Sequence, residues 1–463
     1  MSDALSTPHV IIVIGAGPAG LSVVDQLSSA GHDVVVINRD CKFGGLAEYG
    51  IFPTKHRLRN GLRKNYREIL NRSNVHYFGN VTIGERGHLR LDELRAVGAG
   101  ALVVASGAQG TKALGLEGEQ AVGVFHAKDV VYHYNLLPGF GDRPFEIGQH
   151  AVIIGIGDVM VDIAHWLIRF RHIRQVTAVA RRGPVERKYN PKEIRSICAH
   201  IDRDALKKEF GRIGAALKAV EQQPETVLGE MTGEFDSCEP SSSSTLMRFH
   251  FLASPRRVLV DGRNHVRGLE LEEMTLASRN GDMAAVGTGR RYEFPCDSVI
   301  FAVGDCVDGT LGLPSKNGAF VTNPDHTQNQ PAQNQPQNQP NDAQFQAYDP
   351  SAGRVLDGVF VTGWARQASV GLVGIAKRDG DWCSQVVKRY LAGKPSPPAE
   401  TTRATLTEIR RLILSRQPAA IDKEALATLR LAEQEEADRL GAAEFKFSTN
   451  DDMTAAIRRH QQM

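Results

Sequence analysis

Two short glycine-rich turns have the residue types and spacing to hold phosphate groups. In the first, Gly15, Gly17 and Gly20 stand at G-x-G-x-x-G spacing between an apolar stretch and a helical one. The first glycine permits a tight turn, the second lets the backbone approach a pyrophosphate, and the third lets helix and strand pack. The N-terminal end of the helix then faces the phosphate charge. This context favours a dinucleotide site over a glycine turn without a ligand.

The second turn has Gly155 and Gly157, but Met160 takes the place of the third glycine. We therefore expect its helix and strand to lie slightly further apart. The next strand ends at Arg181 and Arg182, where an acidic residue would favour NAD. Two guanidinium groups instead favour the 2′-phosphate of NADP, through charge-assisted hydrogen bonds. A solvated basic pair is the alternative.

A further glycine cluster, "FGGLAEYGIFP" at residues 43–53, would let the backbone lie against a large flat ligand. That suits FAD better than a nicotinamide nucleotide, and an ordinary flexible loop is the alternative. Asn38 stands where an acid normally binds a ribose hydroxyl, so we expect weaker binding of the adenosine ribose. One flavin site and one NADP site in the same chain imply hydride transfer between them.

The elements that must position these residues follow from the apolar pattern. Residues 10–14, 20–30 and 33–37 are typical of a strand, a helix and a strand, which make a βαβ unit. Residues 151–154 and 176–180 are the strands of a second such unit. Its helix is predicted to place four apolar side chains on one face: Val159, Ile163, Trp166 and Phe170.

Further buried strands are predicted at residues 101–108, 296–305 and 358–364, and a helical tail from residue 405. The fold class is therefore α/β, with two doubly wound Rossmann-like domains and a C-terminal helical tail. We expect a discontinuous FAD-binding domain of residues 1–110 and 311–463, with an NADP-binding domain of residues 111–310 inserted. Residues 323–344, a Gln/Asn/Pro repeat, are expected to be a disordered insertion.

Composition restricts the function classes. The 463-residue chain is 41% hydrophobic and 23% charged with a net charge of +2, which is typical of a globular protein without a nucleic-acid or membrane partner. None of its six cysteines has C-x-x-C spacing, so we expect reduced structural thiols and no metal site. No secretion signal or long apolar run occurs, and a cytoplasmic location is expected.

Several motifs, in order, resemble the adrenodoxin reductase-like branch of ferredoxin–NADP reductases. The chain is also similar to the small subunit of glutamate synthase. The motifs are "GAGPAGL", "FGGLAEYGIFP", "GIGDVMVD", "RRGPVERKYNPKEIR", "GWARQASVGLVG" and the ending "GAAEFKF". They resemble, respectively, the FAD turn, the flavin loop, the NADP turn, the 2′-phosphate segment, the C-terminal flavin segment and the end of the family's chain.

The resemblance implies roles for individual residues. FAD would be bound by Gly15, Gly17 and Gly20 of the first glycine turn and by Gly45, together with Ala19, Asn38, Leu46, Leu89, Trp364, Gly371, Leu372 and Val373. NADP would be bound by Ile156, Gly157, Asp158, Val159, Arg181 and Arg182. Glu193 matches a glutamate on the nicotinamide side. His56 stands one residue after the family's histidine, whose place Lys55 takes, so a proton relay and a surface histidine both stay open for it.

The resemblance also implies an activity, in which NADPH reduces FAD by hydride transfer and single electrons pass to ferredoxin or flavodoxin. Basic segments at residues 55–67 and 169–174 could dock such an acidic carrier, or could be solvated helix faces. The chain lacks the cysteine-rich iron–sulfur module of the glutamate synthase subunit, which favours a separate carrier. The alternatives are an electron-supplying subunit of a larger enzyme, a non-catalytic NADPH-binding protein and a flavin monooxygenase.

Overall fold

The structure, a computed structural model, describes residues 8–279, 282–324, 341–368 and 373–462. The predicted insertion falls mainly on residues 325–340, which lie outside the described residues. Its C-terminal end, Asp342–Phe345, forms a 3-10 turn.

The strands are β1 (Val10–Ile14), β2 (Asp33–Ile37), β3 (Val75–Phe78), β4 (Ala101–Val104), β5 (Gly110–Thr111), β6 (Val124–His126), β7 (His150–Ile154), β8 (Gln175–Val179), β9 (Leu246–His250), β10 (Ala253–Val260), β11 (Val266–Arg279), β12 (Asp282–Pro295), β13 (Ser298–Phe301), β14 (Asp305–Cys306), β15 (Ser315–Lys316), β16 (Ala319–Phe320), β17 (Gln346–Asp349) and β18 (Arg354–Val361). The helices are α1 (Pro18–Ser29), α2 (Leu46–Tyr49), α3 (His56–Leu70), α4 (Leu91–Ala96), α5 (Ala127–Tyr134), α6 (Asp158–Trp166), α7 (Arg203–Lys218), α8 (Pro224–Thr232), α9 (Val373–Ala392), α10 (Ala399–Arg416), α11 (Lys423–Leu440) and α12 (Asn450–Gln461).

The chain divides into two compact units. The first comprises Met1–Lys112, Tyr132–Arg143 and Gly304–Met463, and the second comprises Ala113–Val131 and Pro144–Val303. The first unit is therefore discontinuous in sequence, and the short segment Tyr132–Arg143 returns to it.

The sheet of the first unit has the strand order β17-β18-β4-β1-β2-β3, and every pairing in it is parallel except that of β17 with β18. Both faces are covered, as parallel sheets require. Ile11 and Val13 of β1 pack with residues of α1, α3 and α9 on one face. Ile12 and Ile14 pack with α4 and α10 on the other face. This doubly wound arrangement confirms the predicted fold class.

The second unit contains a fully parallel sheet of order β6-β13-β7-β8-β9 and an antiparallel sheet of order β10-β11-β12. Apolar residues of β7 and β13 pack against the antiparallel sheet, whose Leu269 and Leu271 are fully buried. The second βαβ unit is therefore present, with β7 and β8 as its paired strands.

The predicted apolar face of α6 is wrong at two of its four positions. Ile163 and Trp166 are buried, but Val159 is 45% exposed and Phe170 is 48% exposed. The helix changes to a π-helical turn at Leu167–Arg171, which rotates the following side chains. Leu167 and Ile168 are buried there instead.

Two of the six cysteines are not reduced, in contrast to the prediction. Cys198 and Cys238 form a disulfide with a Cα–Cα distance of 5.6 Å, so the prediction that all six thiols are reduced is wrong for these two. The pair was missed because 40 residues separate the two cysteines, a spacing that matches no motif. Among the described helices, none is long and apolar enough to cross a membrane.

Candidate cofactor sites

The first glycine turn connects β1 to α1, and two of its glycines are required by close packing. Gly15 has a φ of +104°, and a Cβ built on it would lie 2.4 Å from the carbonyl oxygen of Ala105. A Cβ on Gly20 would lie 2.0 Å from the carbonyl oxygen of Gly15. Any side chain at either position would therefore force the strand and the helix apart.

Gly17, the middle glycine of the turn, is not required by close packing. A Cβ on Gly17 would meet no heavy atom within 4 Å, so the space beside it is open. Gly17 precedes α1, whose first turn carries no acidic residue and whose N–H groups face this space. The turn thus leaves room at the one position where a pyrophosphate would need the backbone to be bare.

Two further segments meet the turn. The N–H of Gly44 donates to the carbonyl oxygen of Ala16 at 2.7 Å, and a Cβ on Gly45 would lie 3.2 Å from the Cα of Gly17. From the C-terminal part of the unit, Gly363 has a φ of +66°, and its Cβ would lie 2.6 Å from that of Ala19. The structure therefore brings together the FAD turn, the flavin loop and the C-terminal flavin segment that the sequence motifs predicted.

A buried ion pair holds the C-terminal segment in place. The carboxylate of Asp379 on α9 accepts hydrogen bonds from the N–H of Gly363 at 2.6 Å and from the hydroxyl of Thr362 at 2.9 Å. Arg366 pairs with the same carboxylate and stacks on the ring of Phe345 at 4.5 Å. Sequence reasoning missed this pair, because Asp379 lies outside the motif that contains Gly363 and Arg366.

Asn38 is buried and has a structural role that the sequence did not reveal. Its side-chain oxygen accepts from the N–H of Ala16 at 2.9 Å. Its Nδ2 donates to the carbonyl oxygens of Asp40 at 2.8 Å and Lys42 at 2.9 Å. All of these bonds are made within the protein, so Asn38 links the glycine turn to the loop after β2.

The remaining residues predicted to bind FAD fall into three groups. Leu46 begins α2 directly after Gly45, and Trp364 lies in the 3-10 turn Gly363–Ala365. Val373 is the first residue of α9, while Gly371 and Leu372 lie outside the described residues. Leu89 is 1% exposed within the core, and its backbone N–H and carbonyl oxygen are bonded to Thr82 and Gly84, so its contact with FAD stays a prediction.

A cluster of buried and half-buried charged side chains forms ion pairs with Glu48, which lies within the predicted flavin loop. It consists of the cations Lys42, Arg59, Arg63 and Lys446 and the carboxylates Glu48, Glu433 and Glu444. Glu48 lies in α2 and pairs with Lys42 at 3.3 Å and with Lys446 at 3.2 Å. Burial would raise the pKa of Glu48, but these lysines and Arg63 hold it well below its usual value.

The cluster has four cations and three carboxylates, and this excess of positive charge affects the pKa of Lys446. Burial lowers the pKa of Lys446 to about 8, because the attraction of Glu48 does not offset the loss of water and the repulsion of Lys42 and Arg59. No sequence signal connects these residues, since Lys446 is far from Glu48 along the chain.

The second glycine turn, after β7, repeats the geometry of the first. A Cβ on Gly155 would lie 2.4 Å from the carbonyl oxygen of Ala302, whereas a Cβ on Gly157 would meet no heavy atom within 4 Å. Met160 is fully buried at the position of the third glycine. The turn thus combines one tightly packed glycine with one that faces open space, as a pyrophosphate site requires.

The segment at residues 188–190 lies against this turn. The N–H of Lys188 donates to the carbonyl oxygen of Ile156 at 2.9 Å, and the N–H of Asn190 donates to Asp158 Oδ1 at 2.7 Å. Asp158 is therefore occupied in holding this segment. Glu193 follows in the 3-10 helix Pro191–Ser196 and is half-buried.

Arg181 and Arg182 follow β8 after one residue, Ala180, and both side chains are exposed. Neither forms an ion pair with any residue in the described part of the chain. The structure thus leaves two guanidinium groups exposed to solvent at the end of the second strand of this βαβ unit, where the sequence placed the 2′-phosphate site.

His56 begins α3 and is exposed, with its Nδ1 lying 3.3 Å from the carbonyl oxygen of Pro53. It belongs to the first unit, and Glu193 belongs to the second. A proton relay between them stays a prediction from the sequence.

Comparisons with known proteins agree with this geometry. A family model described as pyridine nucleotide-disulphide oxidoreductase matches residues 9–334. The mitochondrial NADPH:adrenodoxin oxidoreductase of Arabidopsis thaliana is 26% identical over 80% of this chain and 80% of its own length. The NADPH-ferredoxin reductase FprA of Mycobacterium leprae is 26% identical over 83% of this chain and 84% of its own.

The fold has a counterpart among solved structures. FprA of Mycobacterium tuberculosis, solved in complex with NADPH, superposes with a TM-score of 0.75 and 23% identity, covering 98% of this chain and all of that one. The resemblance to the adrenodoxin reductase-like branch, predicted from the motifs, is thereby confirmed.

Proposed function

The chain belongs to the pyridine nucleotide-disulphide oxidoreductase family, and on that premise we propose that it is an FAD-dependent NADPH oxidoreductase that supplies electrons to a ferredoxin or flavodoxin. The observation that carries the proposal is the meeting of three glycine segments at Gly17, Gly45 and Gly363. Side chains are excluded or absent on all three, which suits an extended ligand with a pyrophosphate and a flat ring.

The residues of the first unit fit FAD. The N–H groups at the start of α1 would bind its pyrophosphate, and the backbone from Gly45 to Leu46 and from Gly363 to Trp364 would support the flavin ring. Bound FAD would supply the ability to accept a hydride from NADPH and to release electrons singly. The charge cluster around Glu48 holds α2, and with it the flavin loop, against movement.

The residues of the second unit fit NADP. Gly157 leaves space for the pyrophosphate, and Arg181 and Arg182 would bind the 2′-phosphate that distinguishes NADPH from NADH. Glu193 is held near this turn through Asn190 and Asp158, and we assign it to the nicotinamide side.

For the carrier, α3 offers a smaller basic surface than its sequence suggests. Arg59 and Arg63 are used internally, in ion pairs with Glu48 and Glu444. Arg57 and Lys64 stay exposed.

Positive charge is nevertheless concentrated beside them. Burial and the nearby positive charges of Arg430 and Arg63 lower the pKa of Arg67, whereas the carboxylate of Glu68 raises it. We assign the docking of an acidic carrier to the surface formed by the exposed Arg57, Lys64 and Arg430 and the half-buried Arg67.

The test is NADPH-dependent reduction of a [2Fe–2S] ferredoxin by the FAD-loaded protein. We expect the rate to fall about tenfold as ionic strength rises from about 0.01 M to about 0.3 M. The variant Arg57→Glu/Lys64→Glu should lose a similar factor at low salt. The control variant Lys207→Glu/Lys208→Glu, which reverses two exposed charges on α7, should not. A rate independent of salt, or equal losses in both variants, would reject this docking surface.

The cytoplasmic location and the absence of nucleic-acid and membrane partners stay predictions from composition, and subcellular fractionation would test the first. A protein recovered only within a larger complex would favour the electron-supplying subunit instead.

A further inference from the structure

Cys198 and Cys238 form a disulfide within the second unit. Cys198 is 1% exposed and follows the 3-10 helix Pro191–Ser196, which carries Glu193. Cys238 is half-buried and follows the 3-10 turn Phe235–Ser237, after α8. Of the two sulfur atoms, that of Cys238 is therefore the one that a reagent in solution reaches first.

The surroundings suit the reduced state as well. Cys198 Sγ lies 3.6 Å from the carbonyl oxygen of Arg195, and Cys238 Sγ lies 3.1 Å from that of Phe235. After reduction, each thiol has a backbone acceptor for its proton. Once the two sulfur atoms have separated to van der Waals distance, each thiol therefore keeps a backbone acceptor, and the pair can exist in both forms.

Polar contacts join the same two segments. Arg195 Nε donates to Glu234 Oε2 at 2.6 Å, and the N–H of Glu239 donates to the carbonyl oxygen of Arg195 at 2.8 Å. On its other side, the segment is bound to the second glycine turn through Asn190 and Asp158. The disulfide is thus the covalent member of a set of contacts that restrain residues 190–198 beside the turn.

We propose that Cys198 and Cys238 are a reversible thiol–disulfide pair whose oxidation fixes the segment carrying Glu193 and so raises the affinity of the second unit for NADP(H). The inference rests on the proposed function, because it takes the second glycine turn as the NADP(H) site. In the reduced protein, the segment loses its covalent link and is restrained by an ion pair, hydrogen bonds and the burial of Ile194 and Ile197. Nucleotide binding must then include the cost of ordering it.

The oxidant is a low-molecular-weight disulfide. The Cys238 thiolate attacks it, one small thiol leaves, and a mixed disulfide forms. The Cys198 thiolate then attacks Cys238 Sγ and expels the second small thiol. Two electrons pass from the cysteines to the small disulfide, whose two sulfurs take up the two protons. A dithiol reductant reverses the reaction.

The experiment compares the full-length protein after treatment with oxidised glutathione and after treatment with dithiothreitol. Differential alkylation and mass spectrometry measure the state of each cysteine, and calorimetry measures the dissociation constant for NADP+. We expect the Cys198–Cys238 bond in the oxidised sample only, with NADP+ bound about fivefold or more tightly there. The variant Cys198→Ser/Cys238→Ser should bind like the reduced protein under both conditions. The variant Cys306→Ser, a control at a free cysteine of the first unit, should keep the difference.

Four results would overturn the proposal. If no bond forms, or if both states bind NADP+ equally, the pair does not regulate the site, and the proposed function stands. If NADP+ binds in neither state, the assignment of the second unit fails together with this inference. Hydrogen exchange at residues 190–198 provides a readout that needs no nucleotide, and exchange that is equal in both states would also contradict the proposal.

Discussion

The side-chain oxygen of Asn38 accepts a hydrogen bond from the N–H of Ala16 at 2.9 Å, and this bond connects the end of β2 to the first glycine turn. The side-chain nitrogen of Asn38 donates to two carbonyl oxygens of the following loop. An amide can do both, and a carboxylate can only accept. The neutral residue at this position is therefore explained by the loops that it joins.

Replacing Asn38 by Asp should destabilise the first unit. The change removes two donated hydrogen bonds and places a buried negative charge against carbonyl oxygens, which costs about 2–4 kcal/mol. Urea unfolding of the apoprotein should show this loss, and FAD content should fall. Asn71→Asp, at an exposed position, is the control and should change neither. Tighter FAD binding by Asn38→Asp would instead support a role in binding the ribose.

Gly363→Ala should destabilise the protein by about 2–4 kcal/mol and reduce its FAD content, because the new methyl group would overlap Ala19 at a positive φ. Gly353→Ala is a matched control, since Gly353 also has a positive φ, +62°, but its Cβ would meet no atom within 4 Å. It should lose only about 1 kcal/mol and keep its FAD. Equal losses in thermal unfolding would mean that the contact with Ala19 has no effect.

Gly157→Ala should separate binding from stability. The added methyl group enters open space, so the free energy of unfolding should stay within about 0.5 kcal/mol. The same space is where a pyrophosphate would lie, so NADPH affinity should fall about tenfold or more. Gly211→Ala in α7, whose Cβ also meets nothing, should leave the affinity unchanged. Unaltered NADPH binding by Gly157→Ala would place the nucleotide elsewhere.

The lowered pKa of Lys446 predicts that the stability of the folded protein depends on pH. Its pKa is about 8 in the folded protein and 10.5 as the reference for the unfolded chain. Below pH 8 the lysine is charged in both the folded and the unfolded protein, and burial of this charge lowers the free energy of unfolding by its full effect. As pH rises from 8 to 10.5 the folded protein releases the proton first, so stability should rise by up to about 3 kcal/mol.

Urea unfolding at several pH values would measure this gain. Lys446→Met should lack it, whereas Lys64→Met, at an exposed position, should keep it. An identical pH profile for the wild type and Lys446→Met would show that Lys446 is not the group responsible.

The sequence predicted the fold where local patterns are strong. The bounds of β1 and β2 agree with the prediction, because short apolar runs end at glycines or polar residues. The apolar face predicted for α6 was wrong at Phe170, because the π-helical turn after Trp166 changes the period. It was also wrong at Val159, which is exposed in the first turn of α6, directly after the glycine turn. Periodicity analysis assumes a regular helix and cannot detect such a turn.

For the candidate cofactor sites, the spacing of residues along the sequence identified the glycines of the two turns, but not the residues that contact them in the folded protein. Gly17 and Gly157 were predicted from motifs, and the structure shows open space at both. The pairs Glu48–Lys446 and Asp379–Arg366 and the disulfide of Cys198 depend on tertiary contacts that leave no local pattern. The predicted ribose role of Asn38 stays a prediction, and the structure adds the hydrogen bonds by which its amide links the glycine turn to the loop after β2.

The most direct test of the account is an anaerobic absorbance titration of the purified protein with NADPH and, separately, with NADH. We predict a bound yellow flavin that NADPH bleaches at far lower concentration than NADH. In Arg181→Ala/Arg182→Ala this preference should shrink about a hundredfold, because two charge-assisted contacts to the 2′-phosphate are lost. A protein without flavin, a flavin bleached by neither nucleotide, or an unchanged preference in the variant would contradict the account.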